Sequence, residues 1–170
     1  MNNEPEKLRV LLVDDENDIL DLYCNILSHD SNLCKAAYGS EGSRDGFLDV
    51  RELLPDFERF ETTRCNQGNE AIDAVKQSLA DNHPYAITLL DIRMPPGPDG
   101  LETAVELRKL DPLLNIVIVT AYPELPPLDI ARLIPPLGRL LFMQKPVLPL
   151  ELIQISSVLA DKWRAEQQLR

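Results

Sequence analysis

Apolar runs and amphipathic stretches alternate along this chain. LRVLLV (8–13), YAITLLD (85–91) and NIVIVTA (115–121) are nearly continuous in β-favouring apolar residues, and FERFETTRC (57–65) and RLLFMQKP (139–146) carry the same signal more weakly. The segments between them have helical spacing. Ile19, Leu20, Tyr23, Ile26 and Leu27 share one face of 17–27, and Ala71, Ile72, Val75 and Leu79 share one face of 68–82. GLETAVELRKLD (100–111) reads as a helix stopped by Pro112, PPLDIARLI (126–134) as a short helix, and 148–170 as a long one. Residues 29–56 break the alternation. Their front half is polar and glycine-bearing, and FLDVRELL then sets Phe47, Val50 and Leu54 on one helical face before Pro55. No internal repeat appears.

Strands alternating with helices predict an α/β fold, a doubly wound parallel sheet with helices on both faces. The continuous apolar runs agree, because a strand covered on both sides has no polar face. In such a sheet the C-terminal ends of all the strands lie along one edge, where ligands bind.

Composition narrows the function. The chain has 170 residues, 17 basic and 28 acidic, for a net charge of −11. The imbalance is concentrated in residues 1–127, with 11 basic and 24 acidic side chains, against 6 and 4 in residues 128–170. No basic stripe is available for a phosphate backbone, so no nucleic-acid partner is expected. The three cysteines, Cys24, Cys34 and Cys65, form no C-x-x-C pair and suit structural roles in a reducing cytoplasm. With only His29 and His83 a zinc site is not expected, and both read as loop or cap residues. No secretory signal or membrane-spanning run is present, so a cytoplasmic location is the expectation.

The predicted edge collects reactive groups. The first strand ends at Asp14, Asp15 and Glu16, the third at Asp91, the fourth at Thr120 and the fifth at Lys145. Clustered carboxylates repel unless a cation sits among them, and oxygen donors of this kind suit Mg²⁺. A lysine and a hydroxyl beside them suit the oxygens of a transferring phosphoryl group, with Asp91 as nucleophile. Each residue also has a plain structural reading. DDEND could be acids drawn to a helix N-terminus, Asp91 a turn former, Thr120 a β-branched strand residue and Lys145 a surface charge. An EF-hand beginning at Asp14 fails because its sixth position is Ile19 rather than glycine.

LLVDDEND, LLDIRMP with the following DG, VTA and QKP together resemble the receiver domains of two-component response regulators, from about residue 8 to about 159 and interrupted at 29–56. The resemblance implies a flavodoxin-like sheet of strand order 2-1-3-4-5. It makes Asp91 the phosphoacceptor, Asp15 a direct Mg²⁺ ligand, Asp14 a ligand through water and the backbone carbonyl of Arg93 a further ligand. Thr120 and Lys145 would contact the phosphoryl oxygens, Phe142 would be the aromatic switch, and the Lys145–Pro146 bond would be cis. Implied partners are a sensor histidine kinase or phosphotransfer protein and a linked output domain outside this chain. No enzymatic activity is expected beyond Mg²⁺-dependent self-phosphorylation and autodephosphorylation. RMPPG-x-DGLET, the insertion and the ending LADKW resemble receivers fused ahead of sensor kinase or diguanylate cyclase modules.

Three features depart from the usual pattern: a phosphoacceptor loop longer by one residue, the insertion, and a proline-rich stretch between Thr120 and Lys145 that predicts a short or distorted fourth helix. Two alternatives remain. A pseudo-receiver would bind partners without phosphorylation. A haloacid dehalogenase-like phosphatase needs a second aspartate two residues after the nucleophile, where this chain has Arg93. The expected domain spans 1–160, with 161–170 starting a linker helix that projects beyond the core. Ile155, Leu159, Lys162, Glu166 and Leu169 follow a 4-3-4-3 spacing that suggests a homodimer seam. Glu16 is expected to point away from the acidic cluster along the first helix.

Overall fold

The computed structural model describes residues 7–28, 59–97, 99–121 and 126–169. The insertion expected at about 29–56, with His29 and Cys34, lies outside the described residues. Within them the order is β1 (Arg9–Val13), α1 (Asn17–Ser28), β2 (Glu61–Cys65), α2 (Gly68–Ala80), β3 (Ile87–Asp91), α3 (Gly100–Leu110), β4 (Asn115–Thr120), α4 (Pro127–Leu133), a 3₁₀ turn (Leu137–Arg139), β5 (Leu140–Gln144) and α5 (Pro149–Gln168).

The five strands form one parallel sheet of order β2-β1-β3-β4-β5. This is the flavodoxin-like order expected from the sequence. Strand alternation builds a core on each face. Val10, Leu12, Ile87, Leu89, Val117 and Val119 face Leu20, Tyr23 and Leu27 of α1 and Leu152, Leu159 and Ala160 of α5. Leu11, Val13, Leu90, Ile116 and Ile118 face Ala71 and Val75 of α2, Ala104 and Leu107 of α3, and Ile130 of α4. Every residue of β3 and β4 is buried, as their apolar runs require.

The edge strand β2 starts at Glu61, later than the sequence suggests. Pairing in this sheet needs a partner, and the register begins at Arg9↔Glu61. Phe60 instead donates its N–H to the Leu27 carbonyl, at the end of α1. The proline-rich stretch leaves α4 seven residues long, as expected.

The end of α5 differs from expectation. Through Glu166 it does not project free of the domain. Lys162 Nζ donates to Asn115 Oδ1 at 3.0 Å, and Glu166 pairs with Arg139 at 2.8 Å and with Lys162 at 3.1 Å. Trp163 packs against the core with Ile155, and Leu159 is buried in it. The 4-3-4-3 stripe is therefore the face that α5 turns to its own sheet, which is why its spacing resembles a seam. Leu169 alone of the five is exposed.

Candidate functional site

The parallel register brings the predicted strand ends together. Lys145 Nζ lies 2.6 Å from Asp14 Oδ2 and 2.8 Å from Asp91 Oδ2, joining residues from the ends of β1, β3 and β5. Asp14 is 2% exposed and Asp91 6%. Their second oxygens are held alike: Asp14 Oδ1 accepts the N–H of Glu16 at 2.9 Å, and Asp91 Oδ1 accepts that of Arg93 at 3.2 Å. Each carboxylate is thus oriented by a turn two residues long and by one shared ammonium.

Burial pushes the Asp14 carboxyl above its ordinary range, although the hydrogen bonds from Lys145 and from the Glu16 amide pull it down. For Lys145, burial acts to lower the pKa, but the bonds to Asp14 and Asp91 outweigh it and hold the ammonium above its usual value. Lys145 therefore stays charged at any physiological pH. Thr120 ends β4 as a buried residue, and its carbonyl accepts the N–H of Lys145 at 3.0 Å, so their backbones are fixed together. The Lys145–Pro146 bond is cis, as expected.

Asp15 is exposed beside this group. The carboxylate oxygens of Asp14, Asp15 and Glu16 lie within 4.8 Å of one another. The expectation for Glu16 is corrected here. Glu16 precedes α1 rather than riding on it, and its carbonyl accepts the N–H groups of Ile19 and Leu20, so its side chain stays in the acidic cluster. An all-oxygen donor set of this charge, with one member buried, fits Mg²⁺.

Phe142 does not join the cluster. It lies on the face of β5 that Leu140 also uses and is 37% exposed. The short α4 covers that face incompletely.

The loop after Asp91 is closed at its base by the Gly100 N–H, which donates to the Ile92 carbonyl at 2.7 Å. A Cβ on Gly100 would lie 1.9 Å from the Asp91 carbonyl oxygen. Only glycine lets α3 begin that close to the strand. Asp99 caps α3 by accepting the Glu102 N–H at 2.7 Å. Sequence reading missed the turn after β2. Asn66 donates to Asn17 Oδ1 at 2.8 Å, and Gln67 reaches the loop after Asp91. The signal was faint, since an Asn-Gln pair before a helix usually serves only that helix.

The cysteine reading fits what is described. Burial, with the nearby Glu70 carboxylate, pushes the Cys65 thiol up to about 11, so it is inert at neutral pH. Among the described residues no helix is long and apolar enough to cross a membrane.

An open parallel sheet of this strand order, with acids, a threonine and a lysine at its carboxyl edge, is the architecture of receiver-type signalling domains. The profile of the response regulator receiver domain matches residues 47–156, and the chain belongs to that family of two-component signalling proteins. The matched stretch begins after β1, so Asp14 and Asp15 come to the site through the fold. The chain is 32% identical over 89 residues to sporulation initiation phosphotransferase F of Bacillus subtilis, an alignment spanning 52% of this chain and 64% of that protein. It resembles the crystal structure of a CheY-like response regulator receiver domain protein from Methanospirillum hungatei, with a TM-score of 0.63, 21% identity, and coverage of 95% of this chain and 99% of that one. A structure described as adenylate cyclase from Rhodopirellula baltica is similar, with a TM-score of 0.62, 23% identity, and coverage of 96% and 97%. At these identities the two structures speak for the fold alone.

Proposed function

We propose that Asp91 accepts a phosphoryl group and that the domain is a phosphorylation-dependent switch. The observation that carries this reading is the placement of Lys145 Nζ between Asp14 Oδ2 and Asp91 Oδ2, at 2.6 and 2.8 Å. A structural role alone would not need two buried carboxylates sharing one ammonium at the strand ends, because apolar residues would cost less there.

In the proposed reaction Asp91 Oδ2 attacks phosphorus on a phosphohistidine or an acyl phosphate. The bond from phosphorus to the donor breaks, and its electron pair leaves with the donor. Lys145 gives up its contact to Asp91 and pairs with a phosphoryl oxygen, and the Thr120 hydroxyl donates to another. Water attack on phosphorus later breaks the bond to Asp91 Oδ2, releasing inorganic phosphate and restoring the carboxylate. Asp14, Asp15, Asp91 and the Arg93 carbonyl would hold Mg²⁺, with Glu16 at the rim. When bound, that ion supplies positive charge opposite the phosphoryl oxygens.

The partners of this reading are a sensor histidine kinase or a phosphotransfer protein, met in the cytoplasm, and an output domain beyond the receiver. Leu128, Leu133, Leu137 and Phe142, all exposed around α4 and β5, are the surface proposed to report the state. Residues 161–170 are proposed as the start of the connection to that output domain. The α5 stripe is occupied by contacts within the domain, so that face does not serve as a homodimer seam.

Intact-mass measurement after acetyl phosphate and Mg²⁺ tests the assignment. The chain should gain one phosphoryl group and Asp91→Asn none, while the variant stays folded by circular dichroism. A phosphorylated Asp91→Asn protein would sink it, and a wild-type chain that never takes the group would favour the binding-only reading.

A further inference from the structure

Gln67 precedes α2 and lies outside the group of acids and lysine, yet its side chain touches the loop that follows Asp91. Gly97 N–H donates to Gln67 Oε1 at 3.1 Å, and Gln67 Nε2 donates to the Pro95 carbonyl at 3.4 Å. One amide thus meets an acceptor and a donor of the loop backbone, as a neighbouring strand would. The adjacent residues tie the same turn to the acidic side of the pocket. Asp14 N–H donates to the Cys65 carbonyl at 3.2 Å, and Asn66 Nδ2 donates to Asn17 Oδ1 at 2.8 Å. Glu70, on the first turn of α2, accepts the Asn66 N–H at 2.8 Å and anchors the whole turn. Cys65, Asn66 and Gln67 therefore form a strap from the β1 acids to the β3 loop.

Arg93 sits between two fixed points of that loop. One is at its base, where Gly100 N–H meets the Ile92 carbonyl at 2.7 Å, and the other is the Gln67 amide near its tip. Gly97 is matched to this contact. A Cβ there would lie 2.3 Å from Gln67 Oε1, and the backbone is not left-handed, so a side chain at 97 would push the Gln67 amide aside.

We propose that Gln67 is a positioning residue for the site, holding the loop after Asp91 so that the Arg93 backbone keeps its place beside the acids that would hold the cation. This rests on the phosphoacceptor reading above. Groups that orient a metal ligand commonly change affinity when removed while leaving the ligands themselves in place.

The test uses Mn²⁺ as the probe, titrated into the full chain and followed by the electron paramagnetic resonance of the free ion. Gln67→Met keeps the volume and loses both hydrogen bonds. Gly97→Ala keeps Gln67 and displaces its amide from the other side. Both should weaken Mn²⁺ about tenfold, with little change in melting temperature. The Gly97 amide should exchange slowly in the wild-type chain and faster in Gln67→Met. Wild-type Mn²⁺ affinity in both variants overturns the proposal, and so does an unprotected Gly97 amide in the wild-type chain, a result that needs no variant to fold. A wild-type chain that neither binds Mn²⁺ nor takes a phosphoryl group overturns the reading of the site itself, and this proposal with it.

Discussion

The two edges of the sheet solve opposite problems with similar residues. At the carboxyl edge, Asp14 and Asp91 are buried and share a single cation, Lys145, with Asp15 and Glu16 close by. At the amino edge, Arg108 and Arg139 are held chiefly by backbone carbonyls. Arg108 donates to the carbonyls of Pro112, Leu114 and Arg139, and Arg139 donates to that of Leu113. Glu166 then joins Arg139 and Lys162, and Lys162 bonds Asn115, whose own amide donates to the Ala86 carbonyl. The amino edge is tightly stitched, its cations held by carbonyls, by Glu166 and by the Asn115 amide. The carboxyl edge carries a deficit of positive charge, which suits the cation proposed for it.

Removing Lys145, the cation that Asp14 and Asp91 share, should have the largest effect. Lys145→Ala leaves two buried carboxylates facing each other and should lose about 3 kcal/mol in urea unfolding at neutral pH. Added Mg²⁺ should recover part of that loss. If the loss is no larger than for an exposed lysine such as Lys76, the two edges do not differ as described.

Asp14→Asn should do the reverse. Because burial raises the Asp14 pKa, its contribution to stability is present below the ordinary carboxylate range and is lost as pH rises through the raised value. In the absence of divalent ions the asparagine variant should be the more stable protein at neutral pH, and its advantage should shrink in acid. Urea midpoints across pH decide this, and an advantage that grows in acid would contradict it.

The smallest effect belongs to the amino edge. Burial would raise the Glu166 pKa, but hydrogen bonds and charge from Lys162 and Arg139 hold it below its ordinary value. Its contribution is present above the ordinary carboxylate range and lost as pH falls through the depressed one. Glu166 is about a third exposed, so solvent screens the pair, and Glu166→Gln should lose only about 0.5 kcal/mol. Salt should reduce that difference, and phosphorylation of the variant should match the wild type.

Much of this was legible in the sequence, for identifiable reasons. Strands buried on both faces must be apolar throughout, so β3 and β4 announced themselves, and a parallel sheet has only one edge for Asp14, Asp91, Thr120 and Lys145 to share. What stayed hidden depends on neighbours distant in sequence. The stripe on α5 revealed that a face is buried, but periodicity does not say against what, and the partner turned out to be the domain's own sheet. Glu16 was misplaced because acids before a helix look the same whether they ride on its first turn or hang beside it. Gln67 gives little signal because an amide that hydrogen-bonds backbone 28 and 30 residues away leaves almost no local pattern.

Gly100 has no functional group, yet its missing side chain keeps α3 against the Asp91 carbonyl oxygen. A survey of random substitutions scored only by signalling output should therefore rank position 100 with Asp91, the proposed phosphoacceptor. It would do so for want of room, not of chemistry. The two kinds of intolerance separate once abundance is scored alongside output. Loss at Asp91 should leave a full complement of silent protein, whereas bulk at position 100 should remove the protein itself.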